Sequence, residues 1–307
     1  MNKIPTINDS YTHQNRCISK LSNILRSELL SPELSFIMEA HDGLSAAIAQ
    51  RAGFKSLWAS GLSISTSLGY RDTNEASWTE IVDVVERIVY SSSLPVLVDA
   101  DGGFGNFNNA RLCATKLLQR GAAGICIEDK TFPKTNSFIG NKHELADIKE
   151  FSGRLQAVKD SVGNDLVVVA RTEALIAGHP MEEALARAHA YADAGVDAVL
   201  IHSRLPRADE IVDFLNLWDS RLPVIIVPTK YYMTPTQTYR DANVSAVIWA
   251  NHSMRAAASH MTKICKSIAA NQSIAQIEND ISSLDEIFSL LNYDQLKEDE
   301  KFYFPKS

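Results

Sequence analysis

The chain has 307 residues, 45% of them hydrophobic and 22% charged, an ordinary balance for a globular protein of one or two domains. Its net charge of -7 gives no basic footprint for nucleic acid, and no apolar run approaches the ~20 residues that cross a bilayer. Cys17, Cys113, Cys126 and Cys265 lie far apart and the N-terminus is polar, which argues against disulfides, structural zinc and a signal peptide; the expected location is cytoplasmic.

Residues 1–30 read as a polar arm ending in a short amphipathic helix, with Ile18, Leu21, Ile24, Leu25 and Leu29 on one stripe. Beyond it, apolar β-rich runs at 34–38, 56–59, 96–98, 124–127, 166–169, 198–201, 224–227 and 246–249 alternate with helical patterns. Nearly continuous apolar strands predict a parallel sheet covered on both faces. Trp78, Ile81, Val82, Val85 and Ile88 form one helical stripe between strands. Met181, Ala184, Leu185, Ala188 and Tyr191 form another, stopped by Gly195. Eight β-then-α units predict an α/β fold, a (β/α)8 TIM-type barrel, and no GxGxxG follows the first strand to favour a dinucleotide-binding sheet.

Such a barrel gathers its active site at the C-terminal ends of its strands. Asp99 and Asp101 alternate at one strand end, so both carboxylates can face a single cavity. Glu128 on the next strand completes a hard-oxygen set suited to Mg2+, with water and substrate filling the octahedron. The alternative is that these acids cap the following helices. Ser60, Gly61 and Leu62, after Trp58, either offer backbone N–H groups to a carboxylate or phosphonate or simply form a tight turn. Arg171 ends an apolar strand and needs either a carboxylate such as Glu173 or a bound anion. Asp72 reads as a loop acid, and His202 as a core histidine. In EDKTFPKTNS, the acids are followed by Lys130, Lys134, Asn136 and Ser137, cationic and neutral donors that can reach an anion.

The stretches MEAHDGLSA, WASGLS, RDTNEASW, DADGGFGNFNNA, EDKTFPKTNS, VPTKYY and VIWANH run from about Phe36 to beyond Arg255. Together they resemble the phosphoenolpyruvate mutase family of the isocitrate lyase/phosphoenolpyruvate mutase superfamily. Its signature, E-D-K, five residues and N-S, stands here as Glu128-Asp129-Lys130 and Asn136-Ser137. The resemblance implies a barrel whose last helix is swapped between paired subunits, in a homotetramer built as a dimer of dimers. The barrel with this helix is then expected over 31–272. A helical tail over 273–307 packs on the barrel or on a partner subunit.

The implied activity is Mg2+-dependent interconversion of phosphoenolpyruvate and 3-phosphonopyruvate, which makes the carbon–phosphorus bond of phosphonates. By the same resemblance, Asp99, Asp101 and Glu128 hold Mg2+, largely through water. Ser60, Gly61 and Leu62 grip the substrate with Trp58 beside them, and Arg171 and His202 bind its anionic groups. Lys134, Asn136 and Ser137 belong to a gating loop, Ser137 contacting substrate. Asp72 stands beside the transferring phosphoryl group as nucleophile or electrostatic partner. Two positions depart from the family's DADTGYG, since Gly102 and Phe104 here replace hydroxyl-bearing residues. Phosphonopyruvate hydrolase, the nearest rival, shares the fold and the acids, but the N-S pair argues against it. A C–C lyase would need a Lys-Lys-Cys-Gly-His loop that this chain lacks, and a non-catalytic scaffold would have no use for the three acids with Arg171.

Overall fold

In the computed structural model the described residues are 20–134, 136–137 and 144–304. Residues 1–19 of the expected arm, including Ile18, lie outside them. The described elements begin with α1 (20–29), β1 (Ser35–Ala40), α2 (Gly43–Arg51), β2 (Ser56–Ala59), α3 (Gly61–Ser67) and α4 (Trp78–Ser91). They continue through β3 (Val96–Asp99), α5 (Phe107–Gln119), β4 (Gly124–Glu128), α6 (Ile148–Val162), β5 (Val167–Thr172) and α7 (Ala174–Ala177). Next come α8 (Met181–Asp193), β6 (Ala198–Ile201), α9 (Asp209–Trp218), β7 (Val224–Ile226), α10 (Thr236–Asp241) and β8 (Ala246–Trp249). The last helices are α11 (His252–Asn271), α12 (Leu284–Leu290) and α13 (Tyr293–Tyr303). The chain divides into two compact units between Asn251 and His252. The first holds the strands, and the second holds α11, α12 and α13.

β1 to β8 pair in sequence order, every pair parallel, and β8 returns to β1 to close the barrel. Closure leaves no open sheet edge, and the alternation of each strand sorts its side chains into two cores. Ile37, Trp58, Leu97, Val167, Val169, Leu200, Ile225 and Ile248 point inward and pack as one cluster. Their neighbours, among them Leu57, Val96, Val98, Val168 and Ile226, face the helices in the other.

Helix α1 stops the N-terminal end of the barrel. Its Leu25 and Leu29 are buried in the inner cluster, and Arg26 reaches Asp197 at 3.4 Å and the Asn164 carbonyl at 3.0 Å. Gly124, which opens β4, makes room for this plug: a Cβ there would stand 2.9 Å from Leu25 Cδ2. Truncating Leu25 to alanine removes a core anchor worth roughly 2–5 kcal/mol. The plug commits one end of the barrel to stability, leaving the other end for chemistry.

β5 runs three residues past the apolar run that announced it, so Arg171 and Thr172 lie within the sheet. Register then sets Glu128 of β4 directly beside Arg171 of β5. This pairing brings the first cation to the acids.

Candidate active site

Asp99 ends β3, and Asp101 follows in a left-handed conformation, φ 48, that aspartate tolerates. The Asp101 carbonyl accepts the Glu128 N–H at 2.8 Å, which locks the β3 and β4 ends together. Gly61 presses against both aspartates. Its N–H donates to Asp99 Oδ2 at 3.2 Å, and a Cβ would stand 3.1 Å from that oxygen and 3.3 Å from Asp101 Oδ1. Ser60 caps α3 by accepting the Ser63 N–H, so this segment is a helix-starting turn and also lies against the acids.

The carboxylate partner of Arg171 is Glu173. The guanidinium Nε lies 2.6 Å from Glu173 Oε1 and 3.4 Å from Glu128 Oε2. Glu173 is fully buried and also receives Lys130 Nζ at 3.2 Å, the Ser137 hydroxyl at 2.7 Å and the His202 ring at 3.1 Å. Burial alone would raise its pKa, but Arg171, His202 and Lys130 outweigh burial and hold it well below the usual glutamate value. Burial, aided by Arg171 and Lys130, lowers the His202 pKa despite the pull of Glu173. His202 is therefore buried, as expected of a core histidine, and also lines the cavity.

Over these strand ends lies a cover formed by the segment after β4. Its root is zipped: Lys130 bridges Leu145, Thr131 N–H donates to the Glu144 carbonyl at 3.2 Å, and Ala146 N–H donates to the Asp129 carbonyl at 2.8 Å. Lys134 projects its ammonium between Asp72, at 2.7 Å, and Asp101. Asn136 Nδ2 donates to Asp72 Oδ2 at 2.6 Å. Ser137 lies 2.5 Å from Lys130 Nζ and 3.2 Å from the Arg171 guanidinium. Asp72 is thus no solvated loop acid, since its side chain is 9% exposed and holds two residues of the cover.

Trp58, Ser60, Leu62, Asp72, Asp99 and Glu128 line one cavity with Lys134, Asn136, Ser137, Arg171 and His202. Gly61 and Asp101 stand behind its wall, and Thr229 and Asn251 complete it. Its volume is about 60 Å³, far below the roughly 300–1,000 Å³ of an open ligand pocket. A cavity this small admits a substrate only if its lining, Lys134 and Asn136 included, gives way. A cavity of about 1060 Å³ lies at the opposite end of the barrel, between α1 and the starts of β1 and β2, but no cluster of acids converges there. Chemistry, not size, identifies the site.

Five carboxylates (Asp72, Asp99, Asp101, Glu128 and Glu173) face three cations (Lys130, Lys134 and Arg171). Two negative charges remain unbalanced among the described residues. The strain is visible at Asp101, where burial chiefly, helped by Asp99 and Glu128, pushes the pKa up to about 7 against the pull of Lys134. Asp99 is raised for the same leading reason. Burial disfavours the Lys134 ammonium, yet Asp101 and Asp72 outweigh it and hold its pKa well above the lysine range. Glu128 Oε1, buried, accepts no hydrogen bond among the described residues. A hydrated divalent cation fits this excess charge and this oxygen set. No three His, Cys, Asp or Glu side chains among the described residues form a direct ligand cage.

Three further residues support the site, and of these only Asn74 escapes a reading of the strand ends and the segment after β4. Lys130 follows the acids in sequence but serves Glu173. Asn74 joins Asp101 to the Lys134 backbone at 2.6 Å on each side. Asp129, fully buried behind the site, accepts from Thr172, the Glu173 N–H, Arg187 and Tyr191 at 2.7–3.2 Å. Arg187 also donates to the Ala146 carbonyl at 2.9 Å. The i, i+4 spacing of Arg187 and Tyr191 on α8 was a signal for one shared face.

The family model described as phosphoenolpyruvate phosphomutase matches residues 25–269. The chain belongs to the phosphoenolpyruvate phosphomutase family. The phosphoenolpyruvate phosphomutase of Tetrahymena pyriformis is 47% identical over 296 residues, covering 96% of this chain and 97% of that protein. The crystal structure of phosphoenolpyruvate phosphomutase from Streptomyces platensis subsp. rosaceus matches with a TM-score of 0.90 and 39% identity, over 92% of this chain and 99% of that chain. A phosphonopyruvate hydrolase, crystallised with oxalate and Mg2+, matches with a TM-score of 0.87 and 35% identity, over 92% and 99%. The phosphomutase family and this hydrolase thus share a barrel, which turns the question of reaction toward the cover.

Proposed function

We propose that this chain is a phosphomutase that interconverts phosphoenolpyruvate and 3-phosphonopyruvate with Mg2+, the step that supplies carbon–phosphorus bonds to phosphonate synthesis. The observation that carries the reading is the seating of Asn136 on Asp72 at 2.6 Å. A neutral amide there can donate to phosphoryl oxygens without attacking phosphorus or activating water.

Asp99, Asp101 and Glu128 would hold the ion, in keeping with their shared negative excess. Bound there, Mg2+ would neutralise negative charge on the pyruvate half of the substrate. Arg171, with one face held by Glu173, turns its remaining N–H groups to the same anion, beside Ser60, Gly61 and Leu62. Trp58 walls the cavity, while His202 and Ser137 face the anionic groups. Lys134 and Asn136 turn from Asp72 to the travelling phosphoryl group. The bond from phosphorus to the enol oxygen breaks and a bond from phosphorus to C3 forms, with no proton and no water consumed. A loose, metaphosphate-like group of this kind is stabilised by position and charge more than by covalent help. Any water in reach would capture it, so the cover must stay down during transfer.

The family resemblance also supports a homotetramer of helix-swapped dimers in which α11 is the exchanged helix and the tail over 273–307 packs on the barrel or a partner. A cytoplasmic site of action fits the absence, among the described residues, of any helix long and apolar enough to cross a membrane. Light scattering on the purified protein tests the assembly.

The reaction itself is tested by incubating the protein with phosphonopyruvate and Mg2+ and following phosphorus by NMR. Phosphoenolpyruvate is the expected first product. Inorganic phosphate appearing first would replace the mutase reading with that of a hydrolase.

A further inference from the structure

Asn74 lies away from the strand ends, between α3 and α4, with a left-handed φ of 58. Asparagine tolerates that conformation better than most residues, so a turn alone would account for its presence. Its side chain is nevertheless used at both ends. Nδ2 donates to Asp101 Oδ2 at 2.6 Å, and Oδ1 accepts the backbone N–H of Lys134 at 2.6 Å. The Lys134 partner fixes this orientation, because a backbone N–H only donates, which sets Oδ1 toward Lys134 and Nδ2 toward Asp101. We infer that Asn74 is a positioning residue that seats the cover on the acid floor during phosphoryl transfer, an inference that rests on the mutase reading above.

The contacts that the Lys134 and Asn136 side chains make across this boundary cannot do that work throughout the reaction. Lys134 Nζ is held by Asp72 and Asp101, and Asn136 by Asp72. Both side chains line the cavity, and in the mutase reading they turn to the substrate once it enters. The Lys134 main chain has no such second task. Its bond to Asn74 is made by a neutral N–H and persists while the ammonium is engaged elsewhere. Asn74 therefore fixes the backbone at 134, and the side chains at 134 and 136 are left to follow the phosphoryl group. Because the same amide holds Asp101, cover and floor keep one spacing.

Product identity depends on that spacing. If the backbone at 134 lifts, water reaches phosphorus. Its oxygen then bonds to phosphorus as the P–C bond of phosphonopyruvate breaks, and the electron pair left on C3 takes a proton derived from that water. The products are pyruvate and inorganic phosphate, and no other reactant is required.

Asn74→Gly separates the turn from the amide, since glycine adopts the left-handed backbone without strain while both hydrogen bonds vanish. With phosphonopyruvate and Mg2+, the variant is expected to lose about ten- to a hundred-fold in kcat. A larger share of the phosphorus signal should appear as phosphate, and the melting temperature should stay within a few degrees of wild type. A variant with wild-type kcat and product ratio would overturn the inference. So would one that loses rate and melting temperature together with an unchanged product ratio, because Asn74 would then only support the fold. The wild-type trace on its own tests the mutase reading, so the two can fail separately.

Discussion

The floor and the cover of this site are built on opposite terms. The floor comes from consecutive strand ends, where β-register brings Glu128 to Arg171 and main-chain bonds tie β3 to β4. The described part of the cover, Lys130 to Lys134 with Asn136 and Ser137, belongs to no helix or strand of the barrel, and beyond its zipped root it is held by side chains of the floor and of the segment at 72–74. A floor fixed by backbone keeps its geometry with or without ligand. A cover fixed by side chains can exchange those partners for substrate. That difference lets one scaffold keep a constant acid site while the segment above it selects the reaction.

Substitutions can break that division. Removing a floor acid should have the largest effect: Glu128→Ala is expected to abolish turnover and weaken Mg2+ binding, measured by calorimetry, by at least about a hundred-fold. Unaltered Mg2+ binding would take Glu128 out of the ion site. Asn136→Ala, on the cover, should lower kcat by about 10²- to 10³-fold, the usual cost of one transition-state donor, and leave Mg2+ binding as in wild type. Weakened ion binding in that variant would mean that cover and floor are not separable.

Glu173→Gln tests the joint between the two regions. Removing that buried charge leaves Arg171 and Lys130 without their shared partner and should cost roughly 3 kcal/mol at neutral pH in urea unfolding. The sign with pH follows from the depressed pKa of Glu173. Its contribution is fully present above the unfolded value near 4.5 and fades as pH falls through the lower folded value. The gap between wild type and variant should therefore narrow in acid; a constant gap would trace the loss to shape and not charge. The smallest effect is expected from Gly102→Ala. The added Cβ would meet the Lys130 carbonyl at 3.0 Å, and the root of the cover must shift by a few tenths of an ångström. A several-fold loss of kcat with normal Mg2+ binding would locate that shift in the cover.

Much of the barrel was legible because strand patterning is local. Eight apolar runs mark eight strands, and Asp99, Asp101, Glu128, Arg171 and His202 stand at their ends, all but Asp101 lining the cavity directly. The cover was legible through its run of donors after the acids and through the N-S signature, since nothing periodic marks it. The sequence left Arg171 open between a protein carboxylate and a bound anion; Glu173, two residues on, is the partner. Asp72 looked like a loop acid, and Asn74 drew no reading, because their partners, Lys134 and Asn136, are some sixty residues distant. Such pairings depend on closure of the whole barrel, and no window of sequence contains them.

The buried Asp129 also sets a timescale. Its own N–H and carbonyl, with the N–H groups of Ala146 and Glu173, belong to one bonded patch held from behind by Arg187 and Tyr191 of α8. Those amides should exchange their hydrogens for deuterium only when α8 itself comes away, in step with global unfolding. The Lys134 amide, bonded across the boundary to a single asparagine, should exchange far sooner, through openings too small and brief to disturb the barrel.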